Sequence, residues 1–208
     1  MTSTKRQRTE DTASRKRQRS TDTLAATLVV SGLLPPDIYA PFEELWSLHP
    51  AERGKVIIMS KKVSTPRWQQ SYINDYHFSG MSHLAQELPI MLIPLLQWAN
   101  SLKLGTFNQV LINWYNNGAD YIGPHSDDER QLVAGSPILS LSLGATRIFR
   151  IQPKPATGQR RDIALTDRSY LVMKSPMQSL YKHSIVKVGG DRGLQIGRRI
   201  NVTFRQFQ

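Results

Sequence analysis

His125 and Asp127, two positions apart in GPHSD, put an imidazole nitrogen and a carboxylate on one side of an extended segment, where both can reach one metal ion. A third donor, His183 in YKHSIVKV, completes a two-histidine, one-carboxylate set of the kind that holds iron(II) and leaves three coordination positions open. Alone, H-x-D is also the pattern of a histidine fixed by hydrogen bonds, so the neighbouring residues must decide. Upstream, Leu111, Asn113 and Tyr115 fall on one face of a strand, and Val110, Ile112 and Trp114 on the other. The polar pair then faces a cavity or solvent. Near the C-terminus Arg199, Asn201, Thr203 and Arg205 share one strand face, with Ile200, Val202 and Phe204 opposite. Few acidic residues lie close in sequence to pair two inward arginines, so a bound anion, such as a dicarboxylate, suits them. The other reading is the solvent-facing side of an edge strand.

Positioning these groups requires a sheet. From Thr106 onward the apolar pattern alternates, predicting strands at 107–115, 137–143, 147–151, 169–173, 182–188 and 198–207. Residues 84–104 fit a helix packed on that sheet, with Pro94 causing a kink or a late start. Before it come a segment at 24–34, a turn at Pro35-Pro36, a short helix over 41–48, a strand at 55–59, a turn at Thr65-Pro66-Arg67 and an extended piece at 72–78. One helix followed by many short strands predicts an α+β, mainly β chain: a barrel or two-sheet sandwich with helices on one side.

Composition narrows the chemistry. With no cysteine, thiolate zinc sites, disulfides and cysteine nucleophiles are excluded, and any metal must be held by His and carboxylates. The net charge is +11, of which residues 1–23, with 7 Lys/Arg and 3 Asp/Glu, supply +4. The remaining excess sits on the folded part and points to a polyanion, either nucleic acid or an anionic membrane surface. Residues 1–23 contain no large apolar side chain after Met1, so a disordered basic tail is expected, followed by one folded unit over 24–208. The clusters Lys5-Arg6 and Arg15-Lys16-Arg17-Gln18-Arg19 suit a two-part nuclear localisation signal or a solvated tail with nonspecific nucleic-acid affinity. The longest apolar run, 88–96, is too short to span a bilayer and carries Pro89 and Pro94, so no membrane association is expected.

Taken in order, Asn113-x-Tyr115, His125-x-Asp127, SPILSLSLG at 136–144, His183 and RINVTFR at 199–205 resemble the AlkB family of iron(II)- and 2-oxoglutarate-dependent dioxygenases, over roughly residues 55–208. Four further stretches resemble the branch of that family acting on double-stranded DNA: TPR-x-Q at 65–69, Tyr76-His77-Phe78-Ser79-Gly80, FNQVLINWY and HSDDER. The resemblance implies a double-stranded β-helix, or jelly roll, over about 106–208, a nucleotide-recognition region over about 55–80, and iron held by His125, Asp127 and His183. It further implies 2-oxoglutarate bound by Asn113, Tyr115, Arg199, Thr203 and Arg205, with Asn201 on the same face, and O2 as the other cosubstrate.

The implied activity is oxidative demethylation of 1-methyladenine and 3-methylcytosine in DNA, with release of formaldehyde, succinate and CO2, by a nuclear and monomeric enzyme. Duplex DNA is the favoured partner. For a cationic methylated base flipped out of the stack, Asp128 and Glu129 offer negative charge, and Tyr76, His77 and Phe78 offer a pocket wall. In the loop before TPR, where the double-strand branch carries an aromatic wedge, this chain has Met59-Ser60-Lys61. Methionine can still fill a vacated base position. Lys61, Lys62 and Arg67 are expected on phosphates. Two alternatives follow: the same chemistry on single-stranded DNA or RNA, and a nucleic-acid-binding protein without catalysis. The segment 189–197 has the glycine content of a flexible loop and no assigned role.

Overall fold

A computed structural model describes residues 28–78, 81–156 and 158–208. The basic tail with its two clusters, Ser79 and Gly80 therefore lie outside the described residues, as does the side chain of Phe78.

The chain opens with strand β1 (Leu28–Leu33) and helix α1 (Phe42–Ser47), which begins directly after Pro41. Two hairpins and an edge strand follow: β2 (Lys55–Ile58) with β3 (Lys61–Ser64), then β4 (Trp68–Tyr72), then β5 (Tyr76–Phe78) with β6 (Met81–His83). Helix α2 (Ile93–Ser101) is entered through a 3-10 turn at Ile90–Leu92. The expected helix over 84–104 is thus shorter. Pro94 sits in its first turn, where a missing N–H costs nothing, and Gln86 is bonded instead to the backbone of β4's end at Ser71 and Ile73. The extended piece expected at 72–78 is also revised: its strand starts at Trp68, breaks at Ile73 (φ 74°) and resumes at Tyr76.

The remaining chain supplies β7 (Gln109–Tyr115), β8 (Ile122–His125), β9 (Ile138–Gly144), β10 (Arg147–Pro153), β11 (Arg161–Leu165) and β12 (Ser169–Met173). It ends with α3 (Met177–Leu180), β13 (Tyr181–Ile185), α4 (Gly190–Leu194) and β14 (Arg199–Arg205). Two antiparallel sheets result, in the orders β1-β12-β9-β14-β7-β4 and β11-β10-β13-β8. The fold is mainly β with few helices, as expected.

Period-two alternation decides what each face of the larger sheet meets. Val110, Ile112, Trp114, Leu139, Leu141, Ile200, Val202 and Phe204 join Leu45 of α1 and Leu95, Trp98 and Ala99 of α2 in one apolar cluster. Trp114 Nε1 donates to Leu45 O at 2.8 Å, so even its polar atom serves the helix docking. Between the sheets a second cluster joins Tyr115, Ile138, Leu171 and Met173 to Phe149, Ile151, Tyr181 and Ile185. The sheets therefore pack face to face, with α1 and α2 behind the larger one. The inward face also carries polar residues, and these build the site.

Candidate active site

Strand register brings the two histidines together. His183 on β13 is paired with His125 on β8, so both imidazoles leave neighbouring strands at the same level, with ring centroids 4.2 Å apart. Asp127 lies two residues past β8 and aims Oδ1 at both: 3.4 Å to His125 Nε2 and 3.8 Å to His183 Nε2. The three donor atoms lie within 4.8 Å of one another. His125 Nδ1 is 2.9 Å from Gly123 O; donating there fixes the tautomer that leaves the Nε2 lone pair facing the cluster. Phe149 stacks on His183 at 5.2 Å, and Gln178 Oε1 accepts from the Asp127 backbone N–H at 2.9 Å. Two nitrogens and one carboxylate oxygen, converging on one side, fit iron(II).

The electrostatics keep the donors in their metal-binding forms. Burial pushes the Asp127 carboxyl up, but Arg205 and the two imidazoles outweigh it and hold it well below the usual carboxylate range. Arg205 Nη2 donates to Asp127 Oδ2 at 2.9 Å, leaving Oδ1 for the histidine side. The inward arginines are thus not both unpaired, as their sequence surroundings suggested: Arg205 has its acid. Burial and the nearby His125 push His183 down to about 3, so it is neutral at ordinary pH.

Beyond the triad β14 runs between β7 and β9. Arg199 stands opposite Tyr115, and Asn201 lies opposite Asn113 and Ser142. Asn201 Nδ2 donates to Ser140 Oγ at 2.8 Å and Thr203 Oγ1 donates to Asn201 Oδ1 at 3.2 Å, which orders the middle of the strand. Arg199 is wholly buried and lies 5.0 Å over the Tyr115 ring, with Nη2 donating to Ser142 Oγ at 2.9 Å. Among the described residues, its Nε and Nη1 make no hydrogen bond. Burial lowers its pKa to about 10, and the Tyr115 hydroxyl, not a carboxylate, is the neighbour that favours its charge. A buried guanidinium with free donors aimed into a cavity fits an anion.

All nine residues expected to hold metal or cosubstrate line this one cavity, and Tyr76 joins them. The substrate set divides. Arg67 is buried and lines the same cavity: its Nε donates to Asn113 Oδ1 at 2.7 Å and its Nη2 to Gln69 Oε1 at 3.0 Å. It is turned inward, away from the exposed Lys61 and Lys62 with which it was grouped, although it also borders the groove beside His125. Its phase explains this, since Arg67, Gln69 and Ser71 alternate with Trp68, Gln70 and Tyr72 and take the cavity side. His77 is exposed, its Nδ1 2.8 Å from Ser82 Oγ, and is not among the cavity-lining residues.

Glu129 is largely buried, with its carboxyl pushed up by burial and held back by Arg205; Tyr76 is its hydrogen-bonding neighbour. Asp128 lines a groove that opens beside His125 and also receives Lys154 and Lys182. Met59 and Ser60 form the two-residue connection of the β2–β3 hairpin, with φ of 47° and 62°, and Met59 is 92% exposed. Met59 therefore projects into solvent, with Lys61 and Lys62 exposed beside it. Ser140, Ser142 and Gln178 were missed, although the alternation in LSLSL already marks both serines as facing with Asn201 and Thr203.

Residues 44–205 match the 2OG-Fe(II) oxygenase superfamily. The chain is 35% identical over 164 residues to the DNA oxidative demethylase ALKBH2 of Mus musculus, covering 74% of this chain and 67% of that protein. It belongs to the AlkB family of 2OG-Fe(II) oxygenases. Against ALKBH2 of Bos taurus, this AlkB-family chain is 36% identical over 165 residues, covering 74% of its own length and 58% of that protein. It thus spans about three fifths of the bovine relative. Alpha-ketoglutarate-dependent dioxygenase alkB homolog 3 of Rattus norvegicus is 35% identical over 108 residues, 48% of this chain and 35% of that protein. The structure of OsALKBH1 shares the fold, with a TM-score of 0.55 at 16% identity, covering 86% of this chain and 98% of that one.

Proposed function

We propose that this chain is a DNA oxidative demethylase that repairs 1-methyladenine and 3-methylcytosine, with duplex DNA as the favoured substrate. The observation that carries the reading is the meeting, in one cavity, of the His125–Asp127–His183 cluster and the buried Arg199, whose Nε and Nη1 make no hydrogen bond among the described residues. Relatives named DNA oxidative demethylase, 35% to 36% identical, support the choice of substrate. In this reading the triad holds iron(II), and strands β7 to β14 of the two facing sheets form a double-stranded β-helix over about 106–208, with nucleotide recognition over about 55–80. Bound iron(II), 2-oxoglutarate and O2 supply the oxidation that hydroxylates an N-methyl group, with succinate and CO2 as by-products; the hydroxymethyl group then leaves as formaldehyde.

The chain's own residues do the binding. Arg199 takes the distal carboxylate of 2-oxoglutarate, and Asn113, Tyr115 and Thr203 border it. Arg205 fixes Asp127 and adds positive charge near the metal-side carboxylate. Glu129 and Asp128 place negative charge beside a cationic base, and Tyr76 walls the pocket that receives it. Met59, at the hairpin tip, fills the space the flipped base leaves. The enzyme acts as a monomer, and the basic N-terminal clusters direct it to the nucleus.

The test is turnover of 1-methyladenine and 3-methylcytosine oligonucleotides with iron(II) and 2-oxoglutarate. Formaldehyde and succinate release, abolished by Asp127→Ala, is expected; no turnover would overturn the proposal. Rates on duplex DNA, single-stranded DNA and RNA at matched salt test the duplex preference, and a strong RNA preference would reverse it. Nuclear accumulation of a reporter carrying residues 1–23 tests the targeting.

A further inference from the structure

Arg147, at the start of β10, is 2% exposed, and among the described residues it makes no ion pair, although Asp120 lies near enough to favour its charge. Its charge is met by main-chain carbonyls from two separate segments. Nη1 donates to Asn117 O at 3.0 Å, and Nη2 to Gly118 O at 3.2 Å, Asp120 O at 2.7 Å and Val186 O at 2.8 Å. The first three belong to the turn between β7 and β8, and the fourth begins the strap between β13 and β14. Turn and strap are also pressed together directly: Gly118 N–H donates to Gly193 O, and Val188 N–H to Gly118 O, both at 2.8 Å. A Cβ on Gly118 would lie 2.8 Å from Gly193 Cα, so only glycine permits this approach.

The segment 189–197 is therefore no free loop. It holds α4 and is pinned at the point where Arg147 gathers the carbonyls. Each pinned segment joins one part of the cavity to another: Tyr115 precedes the turn that leads to His125, and the strap connects His183 to Arg199. Arg147 also lies 5.6 Å over the Tyr115 ring, whose centroid is 5.0 Å from the Arg199 guanidinium. Two buried cations thus share one aromatic ring, and Arg147 adds to the burial that disfavours the Arg199 charge. An anion at Arg199 relieves both.

We infer that Arg147 is a positioning residue for recognition of the cosubstrate's distal carboxylate: by clamping turn and strap it sets Tyr115 and Arg199, and so the preference for a dicarboxylate over a 2-oxo monocarboxylate. The inference rests on the 2-oxoglutarate reading above. A lysine keeps the charge but loses the planar fork that reaches several carbonyls at once.

Calorimetric titration of the Mn(II)-loaded full chain without O2, using 2-oxoglutarate and 2-oxobutanoate, reads that preference without turnover. In Arg147→Lys, affinity for 2-oxoglutarate falls about tenfold, while affinities for 2-oxobutanoate and Mn(II) stay within about twofold. Gly118→Ala, which forces the strap off the turn, shows the same selective loss and decides the matter if Arg147→Lys does not fold by circular dichroism. An unchanged ratio of the two acids in a folded variant, equal loss of both, or unfolding of both variants overturns the assignment. Wild-type protein that binds neither acid sinks the 2-oxoglutarate reading instead.

Discussion

Arg205 donates to Asp127 Oδ2 at 2.9 Å, and both side chains are 3% exposed. The pair lets one carboxylate serve two masters, its second oxygen facing the histidines. Removing one member of a buried ion pair leaves the other charged and dry, a loss of about 3–5 kcal/mol. Arg205→Ala should lower the urea unfolding free energy by that order and weaken metal binding. A variant as stable as wild type would show that water replaces the guanidinium.

Arg199 behaves oppositely, since its charge is buried without an acid. Arg199→Met should leave the ligand-free chain as stable or stabilise it by about 1–3 kcal/mol, because an apolar side chain of similar length needs no partner. Binding of 2-oxoglutarate should be lost in the same protein. Thermal unfolding and calorimetry on one preparation check both; a large drop in melting temperature would mean that Arg199 supports the fold.

His183 gives the ligand-free chain a pH dependence. Its folded pKa of about 3 lies below the ordinary 6.5, so an unfolded chain takes up a proton that the folded chain refuses. This contribution is complete above pH 6.5 and is lost as the pH falls towards 3, at about 1.4 kcal/mol per pH unit. Urea titrations at pH 7, 6 and 5 should show that slope in wild type and a flatter one in His183→Asn. Equal slopes would place the acid sensitivity elsewhere.

The hairpin tip predicts a substrate effect without a fold effect. Met59 is 92% exposed, so Met59→Ala should leave stability unchanged. It should lower the duplex-to-single-strand rate ratio by about tenfold, roughly 1.4 kcal/mol of lost filling at the vacated base position. Met59→Phe should raise the ratio. If neither variant moves it, the tip does not enter the duplex.

What could be read from the chain depended on range. β7 and β14 were legible because they bury an apolar face on one side and a polar face on the other, so strict alternation names both. β8 was not, since IGPH is four residues long with a glycine and a proline. The Arg205–Asp127 pair spans 78 residues, and no local pattern signals it. Arg67 was misplaced for a subtler reason: its charge suggested the surface, whereas starting the strand one residue after it would have shown that it shares the phase of Gln69 and Ser71. The strap at 189–197 looked free because Gly193, which serves close contact, carries the same letter as glycines that serve flexibility.

The pairing of His125 with His183 across β8 and β13 has a practical consequence. Backbone hydrogen bonds of the sheet set the spacing of the two imidazoles, and Arg205 and Gln178 hold the carboxylate, so the donors are placed by bonds the chain makes with itself. A chelator should therefore silence the protein while leaving it folded, and activity should return when iron(II) is added back.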